Sequence, residues 1–323
     1  MRYILALPAS LLLCSPALAD ANADRLQEIG QFFENATVIS GPELVDCILS
    51  GGTETTCFSI TVKPDPQDST PGPWCPTSVN DSADAGGIWL KDGTVHDVDG
   101  AFITDLSALY GDDTWQLYDE ATGAVRVTDT QDACEAAARP DVAEEYQNYC
   151  VQCLPEYMDE EASMTYVIPL TPQVSTRNNP TNFAGSGIAA NGVRLDGPAP
   201  VDAILAAHTI APFDDCGGHV NTHVGYHYHV ATDCIEGTQA EGSDAVQIGI
   251  AMDGYDIFSH LLLDGSAPED LDSCNGHIGP DGYHYHAGEA GSNAIVGCLK
   301  AEAGCASENP DQTCDASARP PRP

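Results

Sequence analysis

The sequence predicts a mainly β protein, a β-rich α+β fold stapled by disulfides, and three observations predict it. Short apolar runs are broken by Asp-Gly, Gly-Asp and proline-rich turns, with only two stretches of helical period along 323 residues. Cysteine occurs 13 times. A Tyr-His-Tyr-His tetrapeptide, with the alternation of a strand, occurs at 226–229 and again at 283–286.

Taken in chain order, the N-terminus has the layout of a secretory signal peptide over residues 1–19. Arg2 supplies the positive start, Tyr3 to Cys14 an apolar stretch and Ala17-Leu18-Ala19 a small-residue cleavage site. A lipid anchor at Cys14 is disfavoured by Leu13, where such a signal wants a small residue. The apolar stretch is too short to span a bilayer, so the expectation is an exported periplasmic or extracellular protein without a transmembrane segment. Removing residues 1–19 leaves 12 cysteines, an even number that predicts up to six disulfides in an oxidising compartment. Cys150 and Cys153 have the spacing of a redox or zinc pair, but ten other cysteines favour structural pairing.

Leu26, Ile29, Phe32 and Phe33 give residues 20–40 one amphipathic helix, and prolines make 64–86 turn-rich. Residues 87–90 and 115–118 read as strands, and 132–149 as a helix interrupted near Pro140. Residues 165–170 read as a strand that Pro169 pushes towards a sheet edge. The acidic run Asp159-Glu160-Glu161 suggests a division into an N-terminal cysteine-containing segment (20–162), a second domain (163–300) and a cysteine- and proline-containing tail (301–323).

Composition limits the partners. Eleven Lys and Arg face 49 Asp and Glu, for a net charge of −38, which excludes a basic-patch binder of nucleic acid or anionic membrane. A hydrophobic fraction of 42% excludes a disordered acidic tail. No Lys or Arg lies between Leu195 and Leu299, a field that attracts cations. No protein partner is legible; the partner that the charge favours is a metal ion.

Nine of the ten histidines lie in the C-terminal half, His208 through His286. Asp214-Asp-Cys-Gly-Gly-His219 precedes the first tetrapeptide and Asp272-Ser-Cys-Asn-Gly-His277 the second. The cysteines of the two copies are 58 positions apart and the histidine pairs 57. Each copy is followed by a further cysteine, which predicts bridges Cys216–Cys234 and Cys274–Cys298. On a strand, His227 and His229 project to one face and Tyr226 and Tyr228 to the other. Two such strands can bring four imidazoles to a common face, and His-x-His is a known way of holding one transition metal. A helix through His219, His223 and His227 is rejected, because Gly225 and, in the second copy, Gly279-Pro280 would break it.

Candidate ligands are therefore His227, His229, His284 and His286, followed by His219 and His277, with copper or zinc as the metal. His208, His223 and His260 lack counterparts between the copies. Asp214, Asp272 and Asp253 are candidates to orient imidazole N–H groups. Tyr226, Tyr283 and Asp253 are candidates for moving protons, although packing is the plainer role for the tyrosines. The acidic setting predicts raised histidine pKa values and metal release below about pH 6. Phosphate loops, His-Glu-x-x-His and Gly-x-Ser-x-Gly motifs are absent.

The segment from about Met164 to Cys298 resembles the YHYH-domain proteins. The resemblance rests on Gly187-Ile-Ala-Ala-Asn-Gly-Val193, Asp214 to His219 with Tyr226 to His229, Ala251-Met-Asp-Gly-Tyr255, and Cys274-Asn-Gly-His277 with Tyr283 to His286. It implies a secreted protein and names a fold unit, here of two related halves with paired Tyr-His-Tyr-His strands, without supplying a reaction. The residues leave three functions open. The first is a transition-metal-binding protein. The second is a metal-dependent enzyme, hydrolase or oxidoreductase, with an open coordination position. The third is a metal-free structural or interaction module.

Overall fold

A computed structural model describes residues 16–67, 69–137, 142–181, 185–239, 243–280 and 282–318, with side chains from residue 21 onward. Most of the signal-peptide region (1–15) and Pro140 lie outside the described residues. The N-terminal part contributes α1 (Pro16–Phe32), β1 (Val38–Ile48), β2 (Glu54–Val62), β3 (Ile88–Lys91), β4 (Thr94–Asp97), α2 (Gly100–Tyr110) and α3 (Gln131–Ala137). The middle contributes β5 (Met164–Pro169), β6 (Val174–Asn179), β7 (Gly187–Ala189), β8 (Arg194–Leu195), α4 (Val201–Leu205), β9 (Gly218–Asn221) and β10 (Gly225–Tyr228). The remainder contributes β11 (Gln247–Ala251), β12 (Asp256–Phe258), β13 (Gly276–Gly279), β14 (Gly282–His286), β15 (Leu299–Ala301) and β16 (Cys305–Ser307). Strand residues outnumber helical ones, 30% to 16%, so the protein is mainly β.

The larger sheet has eight strands in the order β13-β14-β12-β11-β7-β8-β10-β9 and stays open. Its two halves share one connectivity. A hairpin, β7-β8 or β11-β12, offers its second strand in parallel to β10 or β14, which then pairs antiparallel with β9 or β13. The halves meet where β7 and β11 pair antiparallel, with Ile188 opposite Ile250. Both isoleucines are fully buried, so the junction is apolar.

A second sheet, β1-β2-β5-β16, is antiparallel. Here β5 is an inner strand, against the edge position that Pro169 suggested. Strand β16 covers only Thr165–Val167, so the missing N–H of Pro169 falls at the strand end beyond that neighbour's reach. Residues 115–118 form no strand, and only Tyr118 makes an isolated bridge, to Val125. Trp115 and Leu117 are instead core side chains in an irregular segment. The helix expected over 132–149 stops at Ala137 among the described residues, and a single 3-10 turn follows at Glu144–Tyr146.

Six disulfides hold this loop-rich chain: Cys47–Cys57, Cys75–Cys150, Cys134–Cys153, Cys216–Cys234, Cys274–Cys298 and Cys305–Cys314. Cys150 and Cys153 thus serve two separate structural bridges. One continuous core joins Phe33, Phe58 and Trp89 to Ile188, Ile250 and Tyr285. Among the described residues no helix is long and apolar enough to cross a membrane.

Candidate metal centres

Each tetrapeptide is the second strand of a tight hairpin, and the register decides which histidines meet. In β9-β10, His219 lies directly opposite His227; in β13-β14, His277 lies opposite His284. Opposed residues of an antiparallel pair share a face, and so does the residue two positions on. His229 and His286 therefore join their clusters, giving His219/His227/His229 and His277/His284/His286. The ring nitrogens within each cluster can all lie within 4.8 Å of one another. Ring centroids are 4.7, 5.0 and 4.9 Å apart in the first cluster and 4.6, 5.1 and 5.2 Å in the second.

This revises the expected geometry. The four tetrapeptide imidazoles do not converge, because β10 and β14 stand five strand steps apart, about 24 Å along the sheet at about 4.8 Å per step. Local strand alternation was legible in sequence; the hairpin turn, which leaves seven residues between His219 and His227 and six between His277 and His284, makes each copy a complete three-nitrogen set instead.

The tautomers are set by carbonyls and one carboxylate. His227 Nδ1–H donates to the Gly225 carbonyl at 3.0 Å and His229 Nδ1–H to Gly197 at 2.6 Å. In the second cluster His286 Nδ1–H donates to the Ser259 carbonyl at 2.8 Å and His277 Nδ1–H to Asp270 Oδ1 at 2.6 Å. His284 is bonded to the Gly282 backbone. With Nδ1 engaged, the Nε2 atoms of His227, His229, His277 and His286 are the ones left for a ligand. His277 Nε2 and His284 Nε2 are 2.9 Å apart, and His219 Nε2 and His227 Nε2 are 3.1 Å apart. His286 Nε2 is sealed from solvent and makes no hydrogen bond among the described residues.

Burial, together with neighbouring imidazoles, disfavours the protonated form of His219, His227, His229, His284 and His286. It holds His219 well below the usual histidine range and pushes His227 down to about 3. His229, His284 and His286 are also lowered, chiefly by burial. The expectation of raised values from acidic surroundings is overturned: desolvation outweighs the distant carboxylates. Protons therefore compete less for these nitrogens, and release of a bound metal below pH 6 no longer follows.

The tyrosines occupy the other face and anchor the loops. Tyr226 OH donates to Asp214 at 2.8 Å and Tyr283 OH to Asp272 at 3.1 Å. Those carboxylates also accept backbone N–H groups from Cys216 and Gly218, or from Cys274 and Gly276. A side chain at Gly218 or Gly276 would overlap the tyrosine hydroxyl, which explains glycine before each first histidine. Tyr285 OH donates to Asp253 Oδ2 at 2.7 Å, and Asn191 Nδ2 donates to Tyr228 OH at 3.0 Å. Asp214, Asp272 and Asp253 therefore orient tyrosines, not imidazoles. Tyr226 and Asp253 are fully buried, whereas Tyr283 is half-buried.

His208 bonds Asp112 and Thr114, His260 bonds the Ala287 carbonyl and His223 is exposed; none belongs to a cluster. The sequence reading missed Asp270, Asn191 and the Arg194–Asp196 ion pair (3.1 Å) behind the first cluster. Only Asn191 had a visible signal: Ala190-Asn191-Gly192 and Met252-Asp253-Gly254 are matching turns of the two hairpins, and both glycines have positive φ.

Comparison with curated proteins and with solved structures returns no match. Residues 165–270, which include the first tetrapeptide and stop short of the second, match the family model described as YHYH protein. That match, over about a third of the chain, supports a YHYH domain in the region that carries the first histidine cluster.

Proposed function

We propose that this protein binds transition-metal ions, copper or zinc by ligand type, one at each three-histidine cluster. The observation that carries this reading is the second cluster's convergence of three imidazoles, one of which has a buried nitrogen without a hydrogen bond. His277 Nε2 and His284 Nε2 approach to 2.9 Å, and the buried Nε2 of His286 has no hydrogen bond among the described residues. A buried unsatisfied polar atom costs about 1–3 kcal/mol, and a cation at the centre of the three nitrogens removes that penalty. Two imidazole nitrogens bound tetrahedrally at about 2.05 Å would be about 3.3 Å apart, close to the separations present. Three nitrogens without carboxylate in the set suit copper or zinc and not calcium or magnesium.

The six disulfides fit the oxidising periplasmic or extracellular compartment in which the exported chain would meet its metal. The test is elemental analysis of protein exported to such a compartment and purified without chelators or a histidine tag. The expected content is about two ions per chain, falling to one in His227→Ala or in His284→Ala and to none in the double variant, each with its disulfides intact. No metal in the wild type, even after equilibration with copper and zinc, overturns the reading.

A further inference from the structure

Opposite charges stand at one equivalent position beside the two clusters. The matching turns at Asn191 and Asp253 make Arg194 and Asp256, each three residues further on, counterparts in the two halves. In the parallel β8-β10 register Arg194 lies beside His227. One step back from the Ile257–Tyr285 pair of β12-β14, Asp256 lies beside His284. The cysteine offset of 58 likewise makes Pro212 the counterpart of Asp270, whose carboxylate is bonded to His277.

The surroundings of the first cluster are close to neutral. Arg194 is paired with Asp196 at 3.1 Å, and both act electrostatically on His227 and His229. Those of the second are negative. Asp270 acts on His277 and His286, Asp244 on His284 and His286, and Asp256 on His284. Arg25 of α1 is bonded to Asp256 at 3.1 Å in the wall of a cleft that His284 borders, but it is shared with Glu28 at 3.2 Å and does not cancel the excess. A phenylalanine packs on the rings of both clusters, Phe213 or Phe258, so apolar cover alone does not separate them.

We propose that the two clusters divide metal ions by charge: His219/His227/His229 favours copper(I), and His277/His284/His286 favours divalent ions, copper(II) among them. This inference rests on the metal-binding reading of both clusters. The desolvation cost of an ion rises with the square of its charge, about fourfold from a monovalent to a divalent ion of one size. Around the buried His227 and His229, Asp196 is already engaged by Arg194 and offsets a second metal charge only in part. In the second cluster Asp270 does so through a direct hydrogen bond to a ligand ring, and Asp244 and Asp256 add to it.

The test uses the full-length exported protein loaded with copper, with His284→Ala reporting the first cluster and His227→Ala the second. The reduction potential at each cluster is read by redox titration of the copper(II) electron paramagnetic resonance signal. The first cluster is expected to prefer copper(I) over copper(II) roughly a hundredfold more strongly than the second does, a potential about 120 mV higher. In the wild type the same split appears as two titration steps, which keeps the comparison available if either variant misfolds. Asp270→Asn, at an exposed side chain, is expected to raise the second potential by roughly 60 mV, a tenfold shift, with copper content and the first potential unchanged. Equal potentials, the higher one at the second cluster, or a second potential unmoved in Asp270→Asn each overturn the division and leave the metal reading standing. Absence of copper from the wild type overturns both.

Discussion

The two histidine clusters are built by the same hairpin and differ in what surrounds them. In the first, His227 and His229 are buried, Phe213 covers the rings and the Arg194–Asp196 pair closes the rear. In the second, His286 is buried beside Phe258, but His277 and His284 are half-buried, the orienting carboxylate Asp270 is exposed and His284 borders a cleft. The difference teaches that ligand convergence is a local property of strand register, whereas access is a property of whatever packs against the hairpin. For the second cluster that neighbour includes α1, which is far away in sequence.

The comparison breaks most directly by removing ligands one cluster at a time. His229→Ala and His286→Ala should each lose one of the two ions while keeping the other, as read by metal analysis on folded protein; loss of both from either change would mean one shared site. Access should separate the clusters next. Metal at His277/His284/His286 should pass to a chelator at least roughly tenfold faster than metal at His219/His227/His229, measured by release kinetics in single-cluster variants. Equal rates would remove the distinction between closed and open sites.

Stability should follow the glycines. Gly218→Ala forces a methyl group against the Tyr226 hydroxyl and its bond to Asp214, and should cost about 1–3 kcal/mol in denaturant unfolding of the apoprotein. Gly276→Ala should cost less, because Tyr283 is half-buried and can give way. Acid titration sharpens the same contrast. Histidines lowered by burial bind protons more readily unfolded, where the pKa is about 6.5, so stability is complete above that value and declines as pH falls. For His227 the decline continues towards about pH 3. The slope of apoprotein stability between pH 6.5 and pH 4 (about the range in which an unfolded imidazole gains its proton) should flatten in His227→Gln. An unchanged slope would show that the cluster does not titrate on unfolding.

The smallest effect concerns the paired turns. Burial pushes Asp253 up to about 6, and its counterpart Asn191 is a neutral amide. A raised carboxyl contributes stability at low pH that is lost as pH rises through about 6. Asp253→Asn should therefore gain stability relative to wild type, by roughly 1 kcal/mol or less, between pH 5 and pH 8 (roughly one unit below to two above that pKa). A relative loss over that range would assign the carboxylate charge a role the fold does not explain.

The histidine sets were largely legible because the signal is short-range. Alternation put His227 with His229 and Tyr226 with Tyr228, and the closeness of Cys216 to Cys234 and of Cys274 to Cys298 anticipated two bridges. Asp270 was not legible, since a carboxylate seven residues before His277 is one of many in so acidic a chain. The raised histidine pKa was misjudged because composition reports net charge and says nothing of desolvation.

By itself the sequence determined the mainly β class, the two hairpins and the identity of the six imidazoles, all consequences of period-two alternation and tight turns acting over a few residues. Only the tertiary structure decided that the imidazoles divide three and three, that β5 is an inner strand and that α1 walls a cleft beside one cluster. Strand order and helix docking arise from contacts between distant residues, such as Ile188 with Ile250 and Arg25 with Asp256, and no local pattern encodes which distant partners meet.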